Sequence, residues 1–431
     1  MPAENDWILY PPYSDKSLLR NVLAYRLSND IGCYAPRTHF CELVLNGDYQ
    51  GVYVLMEKIK RDKNRLDIAT LRPEDLAGDQ LTGGYVIKID RRAGEENAGW
   101  ISPFRKWAKG DVEWLYHDPG HDELKDEQKS YIKDYILRFE VLMDKPDWQK
   151  SYEQFLNVET FIDYYVLTEL ALNIDTYTFS TFFYKDRDSK GGKLCFGPVW
   201  DFNLAYGNAD YFIGMQTEGW LLGTKIQEKD RISFWLKNLY DSRDIQSRIT
   251  ERWKTLREKE LALPRILALV DAWVDTLAEA QVRNFERWPI LGEYIWPNFY
   301  IGNSYEDEIL YLKTWITKRW TWIDQQLQSN IQIVDPREKP AFHLQQNYPN
   351  PFNQSTRFVY ELERDDFVEF IIYNSLGQPV RKLVSALQNR GQHVVQWDGC
   401  NEHKIQAPAG LYFAVLSNDE STHMIKMLLL P

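Results

Sequence analysis

Long apolar runs are missing from this sequence: no stretch approaches the roughly 18 residues a helix needs to cross a bilayer. Basic charge is in deficit, with 51 Lys and Arg against 63 Asp and Glu, a net charge of −12. That balance argues against a general binder of nucleic acid or anionic membrane. Cysteine is scarce. Four occur in 431 residues, Cys33, Cys41, Cys195 and Cys400, and none has CxxC or other metal-like spacing. A Cys33–Cys41 disulfide stays open, since spacing alone does not establish one. The opening residues, MPAENDWILYPPYSDKS, lack the basic region and apolar core of a signal peptide. They read as a start part-way into a domain.

Aromatic residues, in contrast, are abundant, at 14% with 16 Trp. Dense cores explain such a content more simply than carbohydrate platforms do. Residues 15–30, DKSLLRNVLAYRLSND, place Leu18, Leu19, Val22, Leu23 and Leu27 at helical spacing, and Gly32 stops the pattern. Lys16 and Arg20 fall on the polar face of that helix. A solvated face is their default, and pairing with a pocket acid or a phosphate is the alternative. Next, THFCELVLNGDYQGVYVLMEKIK alternates around Asn46-Gly47, a hairpin signal, and GGYVIKID (83–90) reads as a further strand. Two helical stretches span 125–172. His117 and His121 have the spacing of helical zinc ligands, but Pro119 and Gly120 make their segment a loop. From 230 to 328 the pattern is almost wholly helical, and the Trp spacing of TKRWTWID is that of a packed helix face.

Pro336 and Pro340 break the helical pattern, and the composition then changes to short alternating strands between Gly, Pro and Asn turns. That periodicity predicts a small antiparallel β-sandwich over 343–431, with Trp397 and Tyr412 in its core. The domains are thus expected at 1–330 and 343–431, with a linker at 331–342.

The stretch NIDTYTFSTFFYKDRDSKGGKLCFGPVWDFNLAYGN, residues 173–208, sets Asp175 and Asp201 among apolar neighbours. Burying a carboxylate without a partner is costly, so such acids have a cation, a metal or a donor cluster beside them. Phosphoryl transfer needs one carboxylate to orient or deprotonate the acceptor and another to hold magnesium. In kinase-like folds these acids flank a hairpin. Here Asp175 ends a helix-to-strand loop, a hairpin follows, and Asp201 emerges in WDFN, similar to the metal-binding Asp-Phe-Gly. Acids at strand ends are also ordinary turn and cap residues.

Together, DWILYPPYSDKSLLRNVLAYRLSNDIG, LNGDYQGVYVLMEKI, NIDTYTFSTFFYKD and GPVWDFNLAYGN resemble the spore-coat-protein-H (CotH) kinase family over residues 7–328. The resemblance implies an α+β fold: a diverged protein-kinase-like domain with a helical large lobe. It implies transfer of phosphate from ATP, with Mg2+ or Mn2+, to protein serine or threonine. Asp175 maps onto the catalytic-loop acid and Asp201 onto the magnesium acid. Glu57 becomes a nucleotide contact at the lobe junction, with Lys58 on the opposite strand face and Arg20 on the first helix as further nucleotide-side candidates. Ser180 stands where kinases carry a metal-binding Asn, and its hydroxyl is a poorer ligand; Asn203 is placed either to compensate or to cap a turn. The family carries strands upstream of DWILYPP, with a phosphate-facing basic residue. This chain is therefore expected to be truncated at its N-terminus and impaired in transfer.

Residues 343–431, with NYPNPFNQST, IIYNSLGQPVRKLV, WDG and AGLYFAVL, resemble the C-terminal sorting domain of type IX secretion, related to the Ig-like domain of hook-capping proteins. That resemblance implies the secretion machinery as a partner and a secreted or cell-surface address. The competing reading is a non-catalytic surface or adhesion protein that uses the kinase-like domain as a scaffold.

Overall fold

A computed structural model describes residues 1–92, 98–104, 109–229, 231–329, 342–362, 364–374, 378–418 and 422–430. Two compact units divide the chain, Met1–Leu327 and Gln328–Pro431. The expected linker at 331–342 lies, but for Phe342, outside the described residues.

Strand β1 (Trp7–Tyr10) pairs with β3 (Asp48–Glu57), which pairs in turn with β2 (Thr38–Leu45), giving a three-stranded antiparallel sheet. Asn46 and Gly47 close the β2–β3 hairpin at φ of 53° and 85°, the positive values this turn requires. Helix α1 spans Arg20–Asp30, five residues shorter than the periodicity suggests. Leu18 takes φ 64°, and the Asp15 carboxylate accepts the N–H of Ser17 at 3.2 Å and of Arg20 at 2.8 Å. A side chain competing for backbone donors thus holds residues 15–18 in a turn. Lys16 and Arg20 are consequently not on a solvated face: each is 1% exposed.

After the short α2 (Gly78–Leu81) the chain enters a five-stranded sheet of β4 (Tyr85–Ile89), β5 (Gly99–Ile101), β6 (Glu113–Asp118), β7 (Thr181–Lys185) and β8 (Leu194–Phe196). Its order is β5-β6-β4-β7-β8, and every pair is antiparallel. Gly84 leads into β4 at φ 89°, where a Cβ would sit 2.4 Å from the Ala69 carbonyl oxygen, so only glycine lets the chain pass. Tyr85, Ile87 and Ile89 face the main core, and Val86 packs with Phe182 on the opposite face. Helices α3 (Asp126–Met143) and α4 (Val158–Ala171) lie between β6 and β7 in sequence. Helix α4 is buried almost all round, which its apolar sequence demands.

The rest of the first unit is helical: α5 (Leu221–Glu228), α6 (Phe234–Asp241), α7 (Arg243–Arg257), α8 (Leu263–Leu277), α9 (Ala280–Arg287) and α10 (Tyr305–Ser329). Trp320 and Trp322 of α10 are half-buried and pack against the main core, as the packed-face reading of TKRWTWID expects. Arg319 reaches the Glu169 carboxylate on α4 at 3.3 Å. Cys33 and Cys41 are free thiols.

In the second unit, β9 (Phe342–Leu344), β10 (Thr356–Leu362) and β13 (Gly391–Trp397) form one sheet. Strands β11 (Asp366–Asn374), β12 (Pro379–Gln388), β14 (Gly410–Ser417) and β15 (Thr422–Leu429) form the other. Alternate residues fill a shared core: Phe358 and Tyr360 of β10 pack on Phe370 of β11, with ring centroids 5.0 and 5.8 Å apart. Trp397 and Tyr412 are buried in that core.

Candidate functional site

Helix α4 stops at Leu172, whose φ of 47° turns the chain out of the helix. Residues 173–180 then coil tightly, with the Asp175 carbonyl accepting the N–H groups of Thr178 at 3.2 Å and Phe179 at 2.8 Å. Asp175 therefore sits one turn from the Phe179 ring, and β7 begins immediately after.

Asp201 follows β8 and occupies the left-handed region at φ 60°. An aspartate there costs energy that its surroundings must offset. Four side chains hold this segment. The Asp201 N–H donates to the Tyr25 hydroxyl at 3.1 Å, and Asn173 Nδ2 donates to the Asp201 carbonyl at 3.0 Å. The Phe202 N–H donates to Asn21 Oδ1 at 2.6 Å, and Arg20 Nε to the Ala205 carbonyl at 3.1 Å. Tyr25 also stacks on Trp200, with centroids 6.1 Å apart. Three of the four side chains come from α1, so that helix sets the path of residues 201–205.

The Asp201 carboxyl feels two other acids. Burial pushes the Asp201 carboxyl up to about 6, and the charges of Asp175 and then Asp90 push in the same direction. Asp90 lies just past the end of β4. Tyr211 is pushed up to about 12, first by burial and then by Asp175, with Arg91 opposing. Tyr10 is raised by burial and by the charges of Asp15 and Asp201. Lys88 on β4 bonds Asp90 Oδ2 at 2.8 Å, and the Arg91 guanidinium lies 4.1 Å from the centroid of the Phe179 ring.

The other residues singled out in the sequence fall in different places. Glu57 is buried and held by Arg37 Nε at 3.0 Å to both oxygens, with Tyr34 at 3.3 Å and Arg65 at 3.8 Å. Lys58 is exposed. Arg20 is engaged by Asp15 at 2.5 Å besides Ala205, a structural commitment beneath the Asp201 segment. Ser180 has φ 47°, and Asn203 accepts Asn208 Nδ2 at 2.8 Å through its carbonyl, a turn contact. His117 packs edge-on against Phe182 and bonds the Ile59 carbonyl at 3.1 Å.

Sequence reasoning missed Asp90, Lys88, Arg91, Tyr25 and Asn173. One signal was present: GGYVIKID closes an apolar strand with two charged residues, Lys88 and Asp90, and Arg91 follows directly.

Among the described residues, no three His, Cys, Asp or Glu side chains are grouped to cage a metal by themselves. A cation bound together with phosphate asks for less: one or two carboxylates, phosphate oxygens and water. Asp175 and Asp201 are hard oxygen donors of the type that suits Mg2+ or Mn2+. Burial, and then the charges of Asp175 and Asp90, hold the half-buried Asp201 carboxyl up, an effect that a divalent cation would oppose.

The family described as CotH kinase protein matches residues 1–323, and the FlgD Ig-like domain matches residues 350–421. The inner spore coat protein H of Bacillus subtilis (strain 168) is 21% identical over 290 residues, 66% of this chain and 73% of that protein. Two solved structures from Porphyromonas gingivalis are also matched. One is PorZ, a surface component of the type-IX secretion system, at 12% identity and TM-score 0.16, over 21% of this chain and 11% of that one. The other is dimeric latent PorU, at 20% identity and TM-score 0.19, over 23% of this chain and 10% of that one.

Proposed function

We propose, for a chain that belongs to the CotH kinase protein family, that residues 1–323 transfer the γ-phosphoryl group of ATP to a serine or threonine hydroxyl of a protein, with Mg2+ or Mn2+, on a diverged protein-kinase-like fold. The observation that carries this reading is the Asp201 segment itself, held in the left-handed region by Tyr25, Asn21 and Asn173. Its half-buried carboxyl is raised by burial and then by the charges of Asp175 and Asp90, and an acid so fixed suits a cation or a proton.

In this reading a divalent cation, when bound, would supply neutralisation of charge on the phosphate oxygens. Asp201 holds its coordinating side of the site, fixed by Tyr25, Asn21 and Asn173. Asp175 orients the acceptor hydroxyl and takes its proton. The hydroxyl oxygen forms a bond to the γ-phosphorus, the bond from that phosphorus to the bridging oxygen breaks, and ADP leaves with the electron pair. Ser180, with one hydroxyl, adds little to a second metal. The Ig-like unit serves as a sorting module for type IX secretion and gives the kinase a secreted or cell-surface address.

Radiolabelled phosphate transfer from ATP with Mg2+ or Mn2+ tests the first part, using the full chain beside Asp175→Asn and Asp201→Asn. Transfer that both variants abolish is expected. Equal, background-level transfer by all three would leave the scaffold reading in its place. For the address, residues 343–431 fused to a reporter behind a signal peptide should reach the surface only in a host with the type IX machinery.

A further inference from the structure

The acids of this site need cations opposite them if a polyphosphate is to bind, because carboxylates alone repel it. Strand β4 supplies two. Lys88 stands directly opposite Phe182 in the β4–β7 register, with its ammonium 5.7 Å from that ring. Arg91 leaves the end of the same strand, beyond the Ile89–Thr181 pair, and lies on Phe179 at 4.1 Å. Each cation thus rests against an aromatic ring of the segment that also carries Asp175. Resting on a ring orients a guanidinium without consuming its N–H donors.

The two cations differ in commitment. Lys88 is bonded to Asp90 at 2.8 Å and is a quarter exposed. Arg91 is exposed, and the residue whose ring it lies on, Phe179, donates its backbone N–H to the Asp175 carbonyl at 2.8 Å. Its guanidinium therefore stands at the solvent-facing side of the loop that carries Asp175.

We propose that Arg91 is the phosphate-binding residue of this site: its planar guanidinium takes the phosphate tail of a nucleoside triphosphate whose metal Asp201 would hold. Lys88 is a positioning residue, ion-paired with Asp90 at 2.8 Å beside Arg91. The proposal rests on the phosphotransferase reading above and names a cation source within the described chain. Guanidinium suits the role because its paired donors match two phosphate oxygens at once.

The test is binding of MgATP, MgADP and adenosine to the full chain, followed calorimetrically, beside Arg91→Ala, Arg91→Lys and Asp201→Asn. Thermal unfolding checks that each variant is folded. Arg91→Ala is expected to weaken MgATP about 10- to 100-fold, the worth of a hydrogen-bonded charge, and to leave adenosine unchanged. Arg91→Lys should recover part of the loss, as a point charge without the fork. In transfer assays the KM for ATP should rise more than kcat falls. If the parent binds MgATP and loses transfer in Asp201→Asn, yet Arg91→Ala binds MgATP as the parent does, the proposal is overturned and the kinase reading survives. If the parent binds no MgATP, both fall.

Discussion

The Asp201 N–H donates to the Tyr25 hydroxyl at 3.1 Å, across 176 residues of sequence. This bond joins α1 to the acid of the site at a residue whose φ of 60° is unfavourable for any side chain but glycine's. The helix and the acid are therefore one mechanical unit.

Tyr25→Phe removes the acceptor and leaves a backbone N–H without this partner inside the protein. The expected cost is about 1–3 kcal/mol of stability. Mn2+ affinity should fall in addition, because the Asp201 backbone is freed. Electron paramagnetic resonance titration of Mn2+ reads the second effect, at a temperature where thermal unfolding shows the variant intact. An unchanged Mn2+ affinity would reduce Tyr25 to a packing residue.

Asp201 makes the metal-free protein pH-sensitive. Its folded carboxyl titrates at about 6 against an ordinary value of 3.8. The contribution is full below pH ~4 and is lost as pH rises through ~6, since the unfolded chain ionises more readily. The loss is on the order of a few kcal/mol. Asp201→Asn should be more stable than the parent at pH 7.5 without metal and close to it at pH 4. Added Mn2+ should stabilise the parent at pH 7.5 and not the variant. Calorimetric scans with and without Mn2+ decide this.

Glu140 on α3 is a second buried acid, raised to about 7 by burial, with Ser102 Oγ donating to it at 2.9 Å. The same sign applies: its contribution is present below pH ~4.5 and fades as pH passes ~7. Glu140→Gln should match the parent near pH 5 and exceed it near pH 8.5 in urea midpoint. A variant equally unstable at both pH values would show that shape, not charge, governs the position.

Arg319 and Glu169 form a fully buried pair between α10 and α4, and the Glu169 carboxylate also accepts Leu221 and Leu222 N–H at 2.7 and 2.9 Å. Arg319→Ala strands a buried charge and should cost roughly 3–5 kcal/mol. Arg319→Ala combined with Glu169→Ala should cost less than the sum. A double-mutant cycle by denaturant unfolding measures the coupling, and additivity would mean that the pair is not energetically linked.

Local pattern made several elements legible. The Asn46-Gly47 hairpin, the strand after Gly84 and the two-residue alternation of Phe358 and Tyr360 in the sandwich follow from period and turn chemistry alone. So did the choice of Asp175 and Asp201 as acids set oddly among apolar residues. Helix α1 was misread at its start because Asp15 captures backbone donors that the apolar spacing cannot reveal. Glu57 stood out as an acid ending an alternating strand, and nothing local shows that Arg37 and Arg65 close around it.

What the sequence by itself determined, then, is the set of elements and which acids stand out among apolar neighbours: periodicity, glycine turns and charge pattern act over a few residues, and a reader of the chain has all of those. The company each acid keeps was decided only in three dimensions. Pairing of Ile89 with Thr181 sets Arg91 against Phe179, ~90 residues away, and α1 reaches the Asp201 segment through Tyr25. Such contacts depend on which strands and helices pack together, a choice made by the burial of the whole core and not written into any one segment.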